Sequence, residues 1–274
     1  MIVQFNRAGA LGDVILLTGI VREYKTRNPN DEIIVSTKSP EAFINNPYIT
    51  NKLIKPDRII DFDLCYEKKP NIHRIKAYSE LALGTSEIFI PELYCGIDEK
   101  ELHKKLPIGI KDYIVVHMTR SWENRTWPLD NYLKVIKELS TIYPIIVVGR
   151  GGDFHPGLMK NVFDYVNQTT LPQLRTILEN AKLLLAFDSG VLTVAQTTSV
   201  KCVGLFTIAN PEYVLFNSTV TPIIPDIECK FCLHKQSPPI TYLGCPSNIN
   251  YSCLGTISVD RVIRVCTGLL KVTI

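Results

Sequence analysis

Short apolar runs alternate with amphipathic segments along the first part of the chain. The apolar runs, bounded by turn residues, predict strands at 2–5, 32–36 and 58–61. Apolar residues three or four positions apart predict helices at 14–25, 40–46 and 72–83. Strand, glycine-bearing turn and helix in this order are typical of an α/β unit.

The same alternation starts again in the second part of the chain. Predicted strands lie at 113–117, 144–148, 183–187 and 200–206. Predicted helices lie at 129–139, 171–180, 190–197 and 259–270. This repetition predicts two α/β domains with parallel sheets. We place them at 1–107 and 108–258, with a C-terminal helical segment at 259–274.

Polar loops follow several of these predicted strands. They lie at 7–13, 117–127, 149–153 and 188–193. Open α/β sheets bind ligands at the carboxyl ends of their strands, so we expect these loops to form a shared site.

The first of these loops carries an acidic residue at a predicted helix start. Gly9 and Gly12 permit close approach of a ligand to the backbone, and a helix N-terminus attracts negative charge. Two hypotheses fit Asp13: it caps the helix, since Asp is a favoured N-cap residue, or it acts as a general base at the ligand face.

Composition narrows the class of protein. The 274 residues are 46% hydrophobic and 21% charged, with a net charge of +3, as in globular proteins. The chain has no apolar run near the ~20 residues of a membrane helix and no signal-peptide pattern, so we expect a cytoplasmic protein. Its pI of about 8.3 is only mildly basic, which argues against a dedicated nucleic-acid module.

Four of the eight cysteines fall in one segment near the C-terminus. Cys229, Cys232, Cys245 and Cys253 have the spacing C-x2-C-x12-C-x7-C within a loop at 229–253. In a reducing compartment, such thiols suit a structural zinc or iron site; the alternative is that they are free or partly disulfide-bonded. Asp61-Phe62-Asp63 also spells a D-x-D metal motif, but a match of three residues is weak.

Several motifs together resemble one enzyme family. The segment 7–13 (Arg-x-Gly-Ala-Leu-Gly-Asp) is similar to the opening motif of the ADP-heptose:lipopolysaccharide heptosyltransferases, glycosyltransferase family 9. Residues 125–128 (Arg-Thr-Trp-Pro) resemble its basic-x-Trp-Pro segment, and 188–190 (Asp-Ser-Gly) resemble its D-[ST]-G loop. The order and spacing of these motifs extend over nearly the whole chain.

This resemblance implies a GT-B fold, in which two Rossmann-like domains face each other across a cleft. It implies an inverting glycosyltransferase with no catalytic metal, in which Asp13 is the general base. The N-terminal domain would face the acceptor, with Arg7, Gly9 and Gly12 in its first loop. The C-terminal domain would bind a nucleotide-diphosphate sugar of the ADP-heptose type through Thr119, Arg125, Gly149, Arg150, Asp153, Asp188, Ser189, Gly190, Val191 and Leu192. Asp188 is also a candidate helix cap.

The chain departs from the family pattern at some positions. Thr193 stands where the family usually has histidine, Lys76 stands where it often has aspartate, and the N-terminal domain is short. The resemblance implies a lipopolysaccharide or other glycan acceptor, and these departures keep a protein or a hydroxylated DNA base as alternatives.

A dinucleotide-binding oxidoreductase or epimerase is a further alternative. Gly9-x-x-Gly12 is not a complete G-x-G-x-x-G fingerprint, which disfavours it.

Overall fold

We describe the fold from a computed structural model of the chain. It describes residues 1–52, 55–69, 71–97, 101, 106, 110–118, 125–151, 156–235, 245 and 251–272. Thr119, Asp153 and the proposed domain boundary at 107–108 lie outside the described residues, as do parts of the loop at 229–253.

The first half of the chain forms a three-stranded parallel sheet in the order β2-β1-β3. Its elements are β1 (Ile2–Arg7), α1 (Leu11–Arg27), β2 (Glu32–Thr37), a 3-10 turn (Pro40–Phe43), β3 (Arg58–Asp61) and α2 (Arg74–Leu83). The helix α1 is buried along most of its length because it packs against both α2 and the second half of the molecule.

The second half forms a six-stranded parallel sheet in the order β6-β5-β4-β7-β8-β9. Its strands are β4 (Ile114–His117), β5 (Ile145–Gly149), β6 (Val162–Val166), β7 (Leu183–Phe187), β8 (Cys202–Leu205) and β9 (Val220–Ile223). Its helices are α3 (Leu129–Leu139), α4 (Leu171–Glu179), α5 (Gly190–Ala195), α6 (Pro211–Val214), α7 (Ser252–Gly255) and α8 (Val259–Leu270).

The strands at the centre of the second sheet are buried on both faces. Every residue of β4, β5, β7 and β8 is buried, which explains why these segments are continuous apolar runs rather than alternating ones. The amphipathic helix α8 covers one face by packing against α3, β7 and β8. The repeated pattern of the sequence thus correctly predicts two parallel α/β units.

Some details of the sequence prediction are wrong. The first helix starts at Leu11 rather than 14, the helix expected at 40–46 is only a 3-10 turn, and α2 starts at Arg74. The strands β6 and β9 are missing from the prediction. Both are edge strands with partly exposed residues, so neither has a continuous apolar run, and β9 also contains Pro222.

The topology fixes where loops can gather. In each sheet the strand order reverses next to a central strand, at β1/β3 in the first and β4/β7 in the second. Ligands of open parallel sheets bind outside the carboxyl ends of the strands at such reversals. The described part of the chain contains no helix that is both long and apolar enough to cross a membrane.

Candidate active site

A cavity of about 850 Å³ lies where the two halves meet. The first half contributes the loop after β1 and the segment between β3 and α2. The second half contributes the ends of β4, β5 and β7, the start of α4, the start of α5, and the turn at Leu233 and His234. The site therefore combines both of the strand-order reversals that the topology indicates.

Asp13 points its carboxylate into a set of hydrogen-bond donors. Its Oδ1 accepts a hydrogen bond of 2.6 Å from the Tyr66 hydroxyl, and its Oδ2 lies 3.3 Å from Arg7 Nη2. The N-cap of α1 is Ala10, which makes no side-chain cap bond, and Asp13 is the third residue of the helix. The hypothesis that Asp13 is the helix cap is therefore wrong, because the helix starts earlier than the sequence suggests.

Arg7 is fixed by contacts on every side and is almost fully buried. It donates to the Phe62 carbonyl at 2.9 Å and to Glu67 Oε1 at 2.6 Å, and its guanidinium lies over the Tyr66 and Tyr78 rings. Burial alone would lower the pKa of Arg7, but Tyr78, Asp13 and Tyr66 together raise it, so it stays protonated.

Tyr66 stays neutral at the site. Burial, and then the neighbouring Asp13 carboxylate, raise the pKa of the Tyr66 hydroxyl well above its usual value. Its hydrogen is therefore available for the bond to Asp13.

Two glycines make the close packing around Asp13 possible. A Cβ on Gly9 would lie 2.8 Å from Arg7 Nε and 2.9 Å from Asp13 Oδ2, so the Arg7 and Asp13 side chains would have to move away from it. A Cβ on Gly12 would lie 3.1 Å from Thr193 Oγ1 and 3.5 Å from the Gly190 backbone. Gly9 thus admits the arginine–aspartate contact, and Gly12 lets α1 approach α5 across the two halves.

The second half presents a neutral histidine and a helix cap. Ser189, rather than Asp188, is the N-cap of α5, and it accepts a bond from the Leu192 amide at 3.4 Å. Ser189 Oγ lies 3.1 Å from His117 Nδ1, and the His117 ring stacks on Phe187. Burial, followed by the charge of Arg125, lowers the pKa of His117 to about 3, so its imidazole is neutral near pH 7.

The Asp188 side chain instead contacts two arginines. Arg125 Nη1 donates to the Asp188 carbonyl at 3.1 Å and lies 3.4 Å from its Oδ2. Arg74 Nη2, from the first half, lies 3.6 Å from the same oxygen. Burial lowers the pKa of Arg125, although the Asp188 carboxylate opposes that shift.

The buried Trp127 anchors the segment that carries Arg125. Its Nε1 donates to the Ile257 carbonyl at 3.1 Å, and its ring packs edge-on against Tyr132. The tryptophan of this motif thus has a structural role that holds the loop beside β7.

The other predicted site residues divide into two groups. Gly149, Arg150, Gly190 and Val191 line the cavity, whereas Leu192 packs into the core. Sequence reasoning missed Arg74, Thr169 and Thr170 as cavity residues, and expected His117 only as the first residue of a site loop. Arg74 carried one usable signal, because it stands at the start of a predicted helix that follows a strand of the first sheet.

The four clustered cysteines lie close enough to influence one another. Burial, with smaller contributions from Cys229, Cys232 and Cys245, raises the pKa of the Cys253 thiol to about 11. Across the ranges that the structure describes, no three His, Cys, Asp or Glu side chains converge in a geometry that could hold a metal ion. The four thiols are thus neighbours, although a metal site is not shown among the described residues.

The family sequence model for glycosyltransferase family 9 (heptosyltransferase) matches residues 65–242. The chain belongs to this family. It is therefore a glycosyltransferase, and the family resemblance of its motifs is confirmed. No curated protein sequence matches the chain significantly.

Solved structures of this family share the fold. The iron-containing dodecameric glycosyltransferase TibC of enterotoxigenic E. coli superposes with a TM-score of 0.81 at 14% identity, over 99% of this chain and 78% of TibC. E. coli ADP-heptose lipopolysaccharide heptosyltransferase II superposes with a TM-score of 0.72 at 14% identity, over 99% of both chains. A family 9 protein of Veillonella parvula gives a TM-score of 0.73 at 15% identity, over 98% of this chain and 97% of that one. The GT-B fold is thus confirmed.

Proposed function

We propose that this family 9 enzyme transfers a sugar from a nucleotide-diphosphate donor of the ADP-heptose type to an acceptor hydroxyl, with inversion at the anomeric carbon. The observation that carries the proposal is the cavity between the halves, lined by Asp13 on one side and by Arg125 and Asp188 on the other. A base and a cationic group facing each other across a cleft are what displacement of a diphosphate by a hydroxyl requires.

In the proposed step, Asp13 takes the proton of the acceptor hydroxyl. The acceptor oxygen forms a bond to the anomeric carbon as the bond between that carbon and the diphosphate oxygen breaks. The proton moves to the Asp13 carboxylate, whose two oxygens are held by Tyr66 and Arg7. The pair of electrons leaves with the diphosphate, which gains negative charge.

Arg125 is proposed to stabilise that charge. Its guanidinium lines the cavity, and its backbone is held in place by the buried Trp127. Charge-assisted hydrogen bonds from arginine to phosphate are among the stronger polar contacts in proteins. Asp188 is proposed to orient this arginine, and Gly149, Arg150, Gly190 and Val191 to shape the donor pocket. Thr119, Asp153, Ser189 and Leu192 remain proposed donor-side residues.

We propose that residues 1–107 face the acceptor and residues 108–258 bind the donor. The proposed acceptor is a lipopolysaccharide or another glycan, with Arg7, Gly9 and Gly12 shaping the acceptor side. ADP-D-β-D-heptose is bound in a structure of TibC, which supports an ADP-sugar as the first donor to examine. We also propose that the protein acts in the cytoplasm, where its thiols stay reduced.

A nucleotide-sugar panel tests the donor proposal. We expect ADP and an ADP-sugar to raise the melting temperature more than UDP- or GDP-sugars do, because ligands that bind only the folded state stabilise it. Release of the nucleoside diphosphate, followed by mass spectrometry, then measures turnover. Stabilisation by NADH with no response to any nucleotide sugar would favour a dinucleotide enzyme instead.

We further propose that Cys229, Cys232, Cys245 and Cys253 hold a structural zinc or iron ion. The turn between the first two thiols is attached to the end of β8, since the amides of Phe231 and Leu233 donate to the carbonyls of Thr207 and Ile208. A metal there would hold Leu233 and His234 against the cavity wall without taking part in the chemistry.

Elemental analysis tests the metal proposal. We expect about one zinc or iron per chain after purification under reducing, chelator-free conditions. A chelator should lower the melting temperature, because metal binding contributes to folding. A metal-free protein with an unchanged melting temperature in chelator would reject the site. As a control, Cys65→Ser should keep its metal, because Cys65 lies outside the cluster.

A further inference from the structure

Arg74 lines the cavity, but the chemistry proposed above gives it no role. It is the first residue of α2, in the first half of the chain, yet its Nη2 lies 3.6 Å from Asp188 Oδ2 in the second half. It therefore spans the cleft between the two halves.

The guanidinium of Arg74 is poorly satisfied compared with those of its neighbours. Arginine offers five N–H donors. Arg7 and Arg125 donate hydrogen bonds to Phe62, Glu67 and Asp188. All three arginines have a buried Nε without an acceptor, but Arg74 alone among them also lacks a hydrogen bond from its other guanidinium nitrogens to any described residue. A cation that is 14% exposed and makes no hydrogen bond has donors to offer to a ligand.

Arg74 nevertheless stays protonated. Burial alone would lower its pKa, but Tyr66, Asp188 and Asp13 together raise it. The ion pair with Asp188 is long, and Arg125 approaches the same carboxylate oxygen at 3.4 Å. Two cations thus share one carboxylate oxygen, which leaves positive charge facing the cavity.

Arg74 also contacts the group that holds the proposed base. Its Cζ lies over the Tyr66 ring, 5.2 Å from the ring centroid, and the Tyr66 hydroxyl donates to Asp13 at 2.6 Å. A ligand drawn to Arg74 therefore lies beside the side chain that orients Asp13.

We propose that Arg74 is a diphosphate-binding residue supplied by the acceptor-side half, which exchanges its loose contact with Asp188 for the phosphate oxygens of the donor. This inference rests on the proposed function. Arg74 and Arg125 then hold the diphosphate from opposite halves, so that donor binding draws the two halves together over the reacting atoms. The bidentate fork of arginine matches phosphate oxygens, whereas Asp188 presents a single shared oxygen.

The test is ligand affinity, measured by isothermal titration calorimetry on the full chain. In Arg74→Met, ADP and inorganic pyrophosphate should bind about 10- to 100-fold more weakly, as expected for losing hydrogen bonds to a charged group. Adenosine, which carries no phosphate, should keep its wild-type affinity. Arg74→Lys keeps the charge but loses the forked guanidinium, so its affinity for ADP should lie between those of the wild type and of Arg74→Met.

Lys76→Ala is the matched control. It removes a positive charge from the same helix two residues away, and Lys76 is not among the cavity residues. Its affinity for ADP should equal that of the wild type.

Each other outcome overturns the inference in a distinct way. Undiminished binding of ADP and pyrophosphate by Arg74→Met overturns the role of Arg74 alone. Equal losses for adenosine and ADP show a structural role and overturn it as well. Failure of the wild-type protein to bind either ADP or pyrophosphate overturns the proposed function, and this inference with it.

Discussion

Asp13 and Asp188 both follow a central strand, one in each half, but they have different partners. Asp13 contacts a neutral tyrosine hydroxyl at 2.6 Å and shares Arg7 with Glu67, which lies closer to that arginine. Asp188 contacts two arginines and is the more buried of the two carboxylates. Asp13 thus has one arginine, which it shares with Glu67, whereas Asp188 lies between two arginines as their counter-ion. The same residue type thus has two different electrostatic environments in this cavity.

Exchange of each aspartate for asparagine tests this difference most directly. Asp13→Asn should lower turnover by about 10²–10⁴-fold, because asparagine cannot take the proton. Its fold and ADP affinity should be retained, because Ala10, and not Asp13, is the N-cap of α1. Donor hydrolysis by water provides the rate until the acceptor is known.

The corresponding Asp188→Asn variant should mainly weaken donor binding, because it releases Arg125 and Arg74. If Asp13→Asn turned over at the wild-type rate, or if both variants lost the same fraction of turnover, the two carboxylates would not differ as proposed.

Arg125→Ala sharpens the donor side of the comparison. We expect ADP to bind about 10- to 100-fold more weakly, and ADP to lose most of its stabilising effect in thermal melts. Arg264→Ala, on the exposed face of α8, is the control and should bind ADP normally. Unchanged ADP affinity in Arg125→Ala would remove this arginine from the donor site.

A third prediction concerns the buried histidine beside Asp188. The pKa of His117 is lowered to about 3, below the value of 6.5 for an unfolded histidine. As pH falls, the unfolded chain therefore takes up a proton at His117 before the folded protein does. The contribution of His117 to the free energy of unfolding is complete above pH 6.5 and is lost as pH falls towards 3. Within this window, His117 makes the free energy of unfolding fall by about 1.4 kcal/mol for each pH unit of acidification.

Urea unfolding at pH 7, 6 and 5 measures this slope. His117→Gln keeps a polar side chain near Ser189 but takes up no proton, so its stability should depend less steeply on pH. Equal slopes for the two proteins would show that folding does not lower the pKa of His117.

The sequence predicted the fold wherever burial imposes a strong pattern. The helices α3 and α8 occupy the residues expected from their periodicity, and β7 is a fully apolar strand with the predicted bounds. The edge strands β6 and β9 were not predicted, because partial exposure weakens the pattern of apolar residues.

Cavity-lining residues were predictable where a motif follows a strand. Asp13, Arg125 and Asp188 were expected at carboxyl ends of strands, and all three line one cavity. Arg74 was not predicted, because its contact with Asp188 arises from packing between the halves, which local sequence does not encode. The N-cap residues of α1 and α5 were also predicted wrongly. A cap depends on where its helix starts, and periodicity defines helix ends poorly.

The contact between Gly12 and Thr193 has a consequence for how this enzyme can be altered. A methyl group at position 12 would lie 3.1 Å from Thr193 Oγ1, so the sizes of these two residues are linked across the halves. A larger residue at position 12 requires Thr193 or the halves to shift by a few tenths of an ångström. Catalytic geometry is sensitive to small shifts, since about 1 Å between reacting groups costs about 10²-fold in rate. The halves are therefore not independent modules. A chimaera that takes its first half from one family member and its second from another must carry positions 12 and 193 as a matched pair.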